Sequence, residues 1–178
     1  MKTTNHKRFA ICSVTSVLAI VFSLNTDLGV SKKGLQHIAN QEGCRLTPYQ
    51  CSANVWTAGL GHTKNMTESS VLNVQQVAEY FVIDVHEAEQ IVKRRITEPA
   101  TQGEYDMMVS FVFNLGAGNF TRSTLLKKFN QGNRKGACNE YSRWVFVNGK
   151  DCRIKGNDCA GISKRREKER SVCLYGWM

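Results

Sequence analysis

The chain has 178 residues, a length that suits one domain with or without a short appendage and excludes a multidomain machine. Hydrophobic residues make up 42% of it and only two residues are prolines, which excludes a disordered or collagen-like chain. Lys and Arg number 24 against 15 Asp and Glu, and the resulting charge of +9 predicts attraction to a polyanion: nucleic acid, an anionic membrane or an acidic cell wall.

The cysteines are numerous and odd in number: Cys12, Cys44, Cys51, Cys138, Cys152, Cys159 and Cys173. They do not form a CxxC pair, and the four histidines lack the HxxxH and HExxH spacings of zinc sites, so neither a metal nor another cofactor is expected. Disulfides persist outside the reducing cytosol. The sequence therefore predicts an exported protein with three disulfides and one remaining thiol.

The N-terminus supports export. Lys2, Lys7 and Arg8 precede an uncharged run at 9–24, a pattern typical of secretory signals. No small-x-small cleavage site follows this run, and its 16 residues fall short of the roughly 20 that span a bilayer comfortably. We therefore expect 1–29 to be an uncleaved segment that holds a membrane weakly. A cleaved signal and a buried core helix are the alternatives.

The first helix of the remaining chain is predicted over 31–42, because Leu35, Ile38 and Ala39 recur at helical spacing. It is expected to end near Gly43, a residue suited to a C-terminal cap. Glu42 continues the apolar face, where a carboxyl group loses solvation. The alternative is a solvated glutamate at a frayed helix end.

Small antiparallel hairpins are predicted over 44–63, where turn-forming residues surround the β-favouring segment 55–57. Long helices follow at 74–96 and 101–115, and the second opens with the capping-box pattern of Thr101 and Glu104. Shorter helices are predicted at 123–130, 134–145 and 161–174. The expected fold class is α+β, with a small hairpin lobe and a larger helical lobe in one domain, 30–178.

Three residues carry a recognisable spacing. Glu42, Cys51 and Thr57 form the pattern Glu-x8-Cys-x5-Thr, followed by Gly-Leu-Gly-His-Thr at 59–63. This pattern resembles the phage-type lysozymes, endolysins of glycoside hydrolase family 24, whose signature is Glu-x8-Asp-x5-Thr with cysteine known in the middle place. The resemblance continues through 110–116, 123–126, 143–144 and 161–166, and it covers roughly 33–176.

This resemblance implies a lysozyme-like fold and a muramidase that hydrolyses the β-1,4 bond between N-acetylmuramic acid and N-acetylglucosamine. Glu42 is then the general acid and Thr57 holds the attacking water. Cys51, as a thiolate, acts either as base or as nucleophile.

Other residues receive roles by the same resemblance. Phe113, Asn114 and Ser123 are expected to line the sugar cleft, although an apolar helix face explains Phe113 equally well as a core residue. Arg165 or Arg166 is expected to approach Glu42.

The N-terminal segment narrows the resemblance to signal-anchor-release endolysins, in which a weak membrane helix tethers an inactive enzyme until it leaves the bilayer. The hypothesis is that a Cys44–Cys51 disulfide blocks the catalytic thiol before release. After release, Cys12 exchanges into this bond, forms Cys12–Cys44 and frees Cys51. The alternative is that Cys12 is a small membrane-helix residue and that Cys44 pairs elsewhere.

The remaining four cysteines are assigned to structural disulfides. Cys152 and Cys159 bracket a short polar loop and are paired, which leaves Cys138 with Cys173. Four cysteines allow three connectivities, and this is one of them.

The predicted partners are bacterial peptidoglycan and, before release, the periplasmic face of the host inner membrane, with the freed enzyme a monomer in the periplasm. A basic run at 150–170 is interpreted as a solvated helix face that favours the anionic wall. A nucleic-acid binder is disfavoured by the export segment. A noncatalytic, membrane-tethered wall-binding or lysis-accessory protein remains the alternative function.

Overall fold

A computed structural model of the protein describes residues 12–24, 26–50 and 54–178. The helices of these residues are α1 (Val14–Ser23), α2 (Lys32–Gln41), α3 (Val74–Arg95), α4 (Gln102–Thr121), α5 (Thr124–Asn130), α6 (Arg134–Asn139) and α7 (Ala160–Tyr175), with a 3-10 turn at Glu140–Arg143. The strands are β1 (Arg45–Gln50), β2 (Trp56–Gly59), β3 (Phe146–Val147) and β4 (Lys150–Asp151). The fold is the expected lysozyme-like α+β class.

The described residues divide into two compact units. The first comprises the chain up to Asp27 together with Ala39–Asp84, and the second comprises Leu28–Ile38 together with Val85–Met178. The first therefore contains α1 and both strands of the β1–β2 hairpin, and the second contains α4 to α7.

In the first unit, β1 and β2 pair antiparallel, with Tyr49 opposite Thr57 and Gln50 opposite Trp56. The hairpin is predicted correctly, because the β-favouring residues around Trp56 are bounded by turn formers. Gly59 ends β2 with a φ of 64°, and a Cβ atom there would lie 3.4 Å from Val77. The left-handed φ therefore favours glycine at this position, whereas a Cβ atom would make only an ordinary contact with Val77.

Helix α1 also belongs to the first unit and buries one face. Its N-terminus is capped by Ser13, whose hydroxyl oxygen accepts a hydrogen bond from the Ser16 N–H, and Val17, Leu18 and Val21 are buried. Residues 9–11 of the predicted apolar run lie outside the described part of the chain. Within the described residues, every helix is too short or too polar to cross a bilayer.

In the second unit, α4 is buried along most of its length. Phe111 lies at the centre of an aromatic cluster, with its ring centroid 4.9 Å from Trp144, 5.9 Å from Tyr141 and 6.1 Å from Phe120. Tilted and edge-to-face contacts of this kind add to the stabilisation from burial. The regular helix breaks at Gly116, where φ is 81° and ψ is 163°, close to the predicted end at Leu115.

The capping box that opens α4 is present as predicted. The Thr101 hydroxyl accepts a hydrogen bond from the Glu104 N–H at 3.3 Å, and the Glu104 carboxylate accepts the Thr101 N–H at 2.8 Å. Glu104 also forms a 2.6 Å ion pair with Arg134 at the start of α6. This one carboxylate therefore both caps α4 and binds α6.

Thr101→Ala is expected to lower the free energy of unfolding by about 1 kcal/mol, because it removes the side-chain acceptor of the cap. Urea unfolding followed by circular dichroism measures the change. Thr63→Ala, at an exposed position outside any helix, is the matched control. Equal stability of the two variants would contradict a contribution from the cap.

Two local predictions need correction. Gly43 was expected to cap α2, but its φ lies outside the left-handed region; instead the Glu42 N–H donates to the Ala39 carbonyl oxygen at 3.2 Å. The β3–β4 hairpin was not predicted, although Asn148 and Gly149 form its turn with φ of 49° and 78°. An Asn-Gly pair between short strands is a strong hairpin signal, and it identifies this turn.

Candidate active site

Glu42 is the first residue after α2 and is half-buried. Leu35, Ile38 and Ala39, the apolar residues that predicted this helix, are all buried. Glu42 therefore follows a helix anchored by its apolar face and remains partly accessible. This combination suits a carboxyl group that has to meet a substrate while losing part of its hydration.

Thr57 lies on β2 and is only 4% exposed. Its hydroxyl donates a hydrogen bond to the Val55 carbonyl oxygen at 3.1 Å. The hydroxyl proton is therefore used in this hydrogen bond. The hydroxyl oxygen still has lone pairs that can accept a hydrogen bond from another group. Thr57 is thus oriented as an acceptor.

Cys51 lies outside the described residues, and so do the predictions made for it. Its neighbours in sequence bound the position: Gln50 is the last residue of β1, and it pairs with Trp56.

Cys12 and Cys44 are joined by a disulfide in the first unit, with a Cα–Cα distance of 5.2 Å. The Cys12 N–H also donates to the Cys44 carbonyl oxygen at 3.3 Å, and both residues are buried. Cys44 follows Glu42 by two positions and directly precedes β1. The N-terminal segment is therefore covalently linked beside the candidate acid.

The second unit contains the two disulfides assigned to structural roles, Cys138–Cys173 and Cys152–Cys159. The first links α6 to α7, and the second closes the loop between β4 and α7. With Cys12–Cys44, these bonds use six of the seven cysteines, and Cys51 is the remaining one.

His62, the histidine of the motif at 59–63, makes structural contacts in the first unit. Its Nδ1 lies 2.9 Å from the Asp84 carboxylate, and its ring stacks on Tyr80 with centroids 4.3 Å apart. The His62 N–H and carbonyl oxygen also form bridge hydrogen bonds with Ala58, next to Thr57. His62 thus connects the hairpin to α3.

The three residues expected to line the sugar cleft lie in the second unit. Phe113 and Asn114 are half-buried on α4, and the Asn114 side-chain oxygen accepts a hydrogen bond from Arg166. Ser123 is buried and caps α5: its hydroxyl donates to the Phe120 carbonyl oxygen at 2.7 Å and accepts from the Leu126 N–H at 3.1 Å. The contacts of Ser123 are those of a helix cap, so its substrate role stays a prediction.

Sequence reasoning missed a buried ionic cluster around Glu169, which is 0% exposed. Its carboxylate pairs with Arg166 at 2.6 Å and Arg165 at 3.2 Å, accepts the Ser110 hydroxyl at 2.6 Å, and lies 3.7 Å from His37 Nε2. Burial raises the pKa of Glu169, but His37 and the two guanidinium groups outweigh burial and hold that pKa below its ordinary value. The arginines precede Glu169 by four and three positions, a helical spacing that indicates ion pairs along α7 but not their burial.

This cluster changes the interpretation of the basic run at 150–170. Arg165 and Arg166 are 3% and 1% exposed, so their charges are held inside the second unit and are not offered to a polyanion at the surface. The solvated-face interpretation is wrong for these two residues. Lys164 and Lys168 on the same helix are exposed.

Glu169→Gln is expected to lower the free energy of unfolding by about 3–5 kcal/mol at pH 7, because it leaves two buried guanidinium groups without their anion. Urea unfolding measures this loss. Glu167→Gln, at an exposed position on the same helix, is the matched control. Similar losses in the two variants would contradict the cluster's role.

The same cluster predicts an acid-sensitive stability. A carboxyl group whose pKa falls on folding stabilises the protein above its unfolded pKa of about 4.3, and this contribution is lost as the pH falls through the lower folded pKa. Below about pH 4.3 the wild type should therefore lose stability more steeply than Glu169→Gln. The free energy of unfolding of both proteins is measured by urea titration from pH 6 to pH 3. If it falls equally with pH in the two proteins, the predicted stabilisation by ionised Glu169 is contradicted.

No group of three or more His, Cys, Asp or Glu side chains is arranged to hold a metal ion within the described parts of the chain. The candidate site residues are Glu42, which is half-buried, Thr57, which is buried, and Cys51 at a fixed spacing between them.

The α+β fold, with Glu42 at the end of α2 and a small hairpin after it, agrees with the lysozyme class. The family model "Phage lysozyme" matches residues 39–169, and the chain belongs to this family. It is therefore a lysozyme-type glycoside hydrolase that acts on peptidoglycan.

Individual relatives agree with this assignment. The SAR-endolysin of Haemophilus phage HP1 is 34% identical over 182 residues, which cover 92% of this chain and 94% of that protein. The active form of the P1 phage endolysin matches with a TM-score of 0.79 and 29% identity, over 94% of this chain and 96% of that one. The secreted inactive form of the P1 endolysin matches with a TM-score of 0.55 and 28% identity, over 83% of this chain and 96% of that one.

Proposed function

We propose that this protein is a phage muramidase that cleaves the β-1,4 bond between N-acetylmuramic acid and N-acetylglucosamine to lyse the host cell. The observation that carries the proposal is the Glu-x8-Cys-x5-Thr spacing, read with a half-buried Glu42 at the end of α2 and a buried Thr57 on β2. The enzyme acts as a monomer and needs no cofactor. Family membership favours this function over a noncatalytic wall-binding or lysis-accessory protein.

Glu42 is the general acid. Breaking a glycosidic bond requires a proton on the leaving oxygen, and a carboxyl group can donate that proton as the bond breaks. The leaving sugar then departs as an alcohol, and Glu42 is left as a carboxylate.

Thr57 and Cys51 serve the attacking water. Because the Thr57 hydroxyl donates to Val55, its oxygen can only accept, and it receives one proton of the water in a hydrogen bond. The Cys51 thiolate accepts the other proton as general base, and the oxygen lone pair of the water then faces the anomeric carbon. Attack by water from the face opposite the leaving group inverts the configuration.

Phe113, Asn114 and Ser123 complete the proposal as residues that line the sugar-binding cleft. Asn114 is the most informative of them to test, because it is a half-buried amide bonded to Arg166. Asn114→Ala is expected to raise KM more than it lowers kcat.

Product analysis tests the reaction itself. Digestion of purified peptidoglycan by a muramidase leaves a reducing N-acetylmuramic acid end, whereas a lytic transglycosylase leaves an anhydro end that is one water lighter. Mass spectrometry of the released muropeptides distinguishes the two. An anhydro product would contradict hydrolysis, and no product would favour the noncatalytic alternative.

Activity is controlled by thiol–disulfide exchange. In the membrane-bound form a Cys44–Cys51 disulfide blocks the catalytic thiol. After release, the Cys12 thiolate attacks the Cys44 sulfur, the Cys12–Cys44 bond forms, and Cys51 leaves as a thiolate. One disulfide is exchanged for another, so the step needs no oxidant or reductant.

Two observations support this control. The described chain has the Cys12–Cys44 bond, which occupies the sulfur that the blocking bond would need. The protein is also more similar to the active form of the P1 endolysin than to its secreted inactive form, with TM-scores of 0.79 and 0.55.

Residues 1–29 tether the inactive enzyme to the periplasmic face of the host inner membrane. The protein is then released into the periplasm. The released protein consists of the domain 30–178 with its N-terminal segment still attached. The relatives named SAR-endolysin favour this order of events. Peptide mapping of the membrane and soluble fractions under nonreducing conditions tests it. We expect Cys44–Cys51 in the membrane fraction and Cys12–Cys44 in the soluble fraction; the same bond in both would contradict the exchange.

A further inference from the structure

The segment at 145–159, which we call the hairpin knob, carries apolar side chains that face water. Phe146 is 58% exposed, Val147 39% and Ile154 60%. Single exposed apolar residues such as Val71 need no explanation, but here three occur within one short segment of the second unit.

The knob holds these side chains on a fixed backbone. Strands β3 and β4 pair through Phe146 with Asp151 and Val147 with Lys150. One further backbone hydrogen bond follows this pairing: the Cys152 N–H donates to the Val145 carbonyl oxygen at 2.8 Å. Both of these residues are nearly fully buried.

The loop that follows is fixed as well. The Cys152–Cys159 disulfide closes it, and the Asn157 side-chain amide donates to the Asp151 carbonyl oxygen at 2.8 Å. The Ile154 N–H donates to the same carbonyl oxygen at 3.2 Å. Ile154 is therefore presented from a closed, hydrogen-bonded loop.

The charges of the knob have an uneven distribution. Arg153 binds Asp151 through 2.6 and 2.9 Å contacts, and its guanidinium carbon lies 5.8 Å from the centre of the Phe146 ring. Asp151 is thereby neutralised locally. Lys150 and Lys155 are exposed, and Asp158 is the remaining exposed acid.

Apolar side chains flanked by exposed lysines suit the interface of an anionic bilayer. Phe, Val and Ile enter the boundary between headgroups and acyl chains, while lysine stems extend toward the phosphates. Aliphatic side chains such as Ile154 cannot form hydrogen bonds with sugar hydroxyls, which makes a glycan surface the poorer match. The chain's charge of +9 adds long-range attraction to anionic lipid.

We propose that the hairpin knob is a docking surface for an anionic phospholipid membrane, used by the soluble form of the enzyme and separate from the N-terminal segment. Phe146 and Ile154 insert into the interface, and Lys150 and Lys155 bind lipid phosphates. The enzyme is thereby concentrated at a membrane surface after its N-terminal segment has left the bilayer.

Vesicle sedimentation tests the proposal with the full-length, soluble protein. Phe146→Ser/Ile154→Ser is expected to lower the partition coefficient onto vesicles of phosphatidylethanolamine and phosphatidylglycerol by roughly tenfold or more. Val71→Ser/Ile83→Ser removes two exposed apolar side chains elsewhere and is the matched control, expected to change binding less than about twofold. All variants have the same N-terminal segment, so differences between them report on the knob.

A second pair of variants tests the charges. Lys150→Gln/Lys155→Gln should weaken binding to these vesicles more than Lys127→Gln/Lys135→Gln, although both lose two positive charges. Thermal unfolding and muramidase activity of each variant show that the fold is intact.

Three outcomes would overturn the proposal: equal losses in the knob variants and their controls, undiminished binding of the knob variants, or binding to phosphatidylcholine vesicles as strong as to anionic ones. Loss of sedimentation with insoluble peptidoglycan and not with vesicles would assign the knob to the wall and would also overturn it. None of these outcomes depends on the catalytic mechanism.

Discussion

Glu42→Gln is expected to lower the rate of peptidoglycan hydrolysis by a factor of about 10²–10⁴, because an amide cannot donate the proton that the leaving oxygen requires. The substitution preserves the shape of a half-buried side chain, so the thermal unfolding midpoint should change little. Turbidity loss of Gram-negative cells with a permeabilised outer membrane measures the rate.

Glu98→Gln is the matched control for this variant. Glu98 is exposed and lies between α3 and α4, and its replacement removes one carboxylate with the same change of charge. If the changed charge weakens attraction to the wall, activity should fall in both variants. The loss of activity caused by removing the general acid should appear only in Glu42→Gln. Equal activity of Glu42→Gln and wild type would rule out Glu42 as the general acid.

Cys12→Ser is expected to leave the released protein at least about a hundredfold less active than wild type. Without the Cys12 thiolate, no internal nucleophile is supplied to open Cys44–Cys51, so the catalytic thiol stays in a disulfide. Activity is measured on the soluble fraction, after that fraction has been quantified, because a failure of release would also lower lysis.

The double variant Cys12→Ser/Cys44→Ser separates exchange from simple loss of a cysteine. It lacks both the attacking thiol and the blocking partner, so Cys51 remains a thiol and activity should return. Cys44→Ser alone should be active without exchange. An active Cys12→Ser protein would exclude the exchange mechanism, and an inactive double variant would show that the Cys12–Cys44 bond has another function.

Most of the secondary structure followed from local signals in the sequence. The boundaries of α3 and α5 agree with the prediction within a residue or so, because each has a capping residue beside an apolar repeat: Asn73 before α3 and Ser123 before α5. The β1–β2 hairpin followed from turn residues on both sides of a β-favouring segment. Where the periodicity and the end signals agree, the sequence determines the element.

The contacts of the site were less predictable than its residues. Glu42 and Thr57 could be selected by spacing, but spacing does not give the burial of Thr57 or the hydrogen bond from its hydroxyl to the Val55 carbonyl oxygen. The spacing of Glu169 to Arg165 and Arg166 is also found on exposed helices, so the sequence of 150–170 is equally typical of a solvated charge run. Only the packing of α7 against α4, through Ser110, distinguishes a buried ionic cluster from a surface one.

The Cys12–Cys44 bond joins two cysteines that are 32 positions apart and closes a covalent ring. Helix α1 lies within this ring, because Val14–Ser23 falls between the two cysteines. A ring of this size stabilises the folded state by about 3–4 kcal/mol through the entropy it removes from the unfolded chain. Under the proposed release mechanism, the same ring makes departure from the bilayer one-way. In that mechanism α1 has both ends tied and Val17 and Val21 buried, so it could re-enter lipid only after a reductant opened the ring.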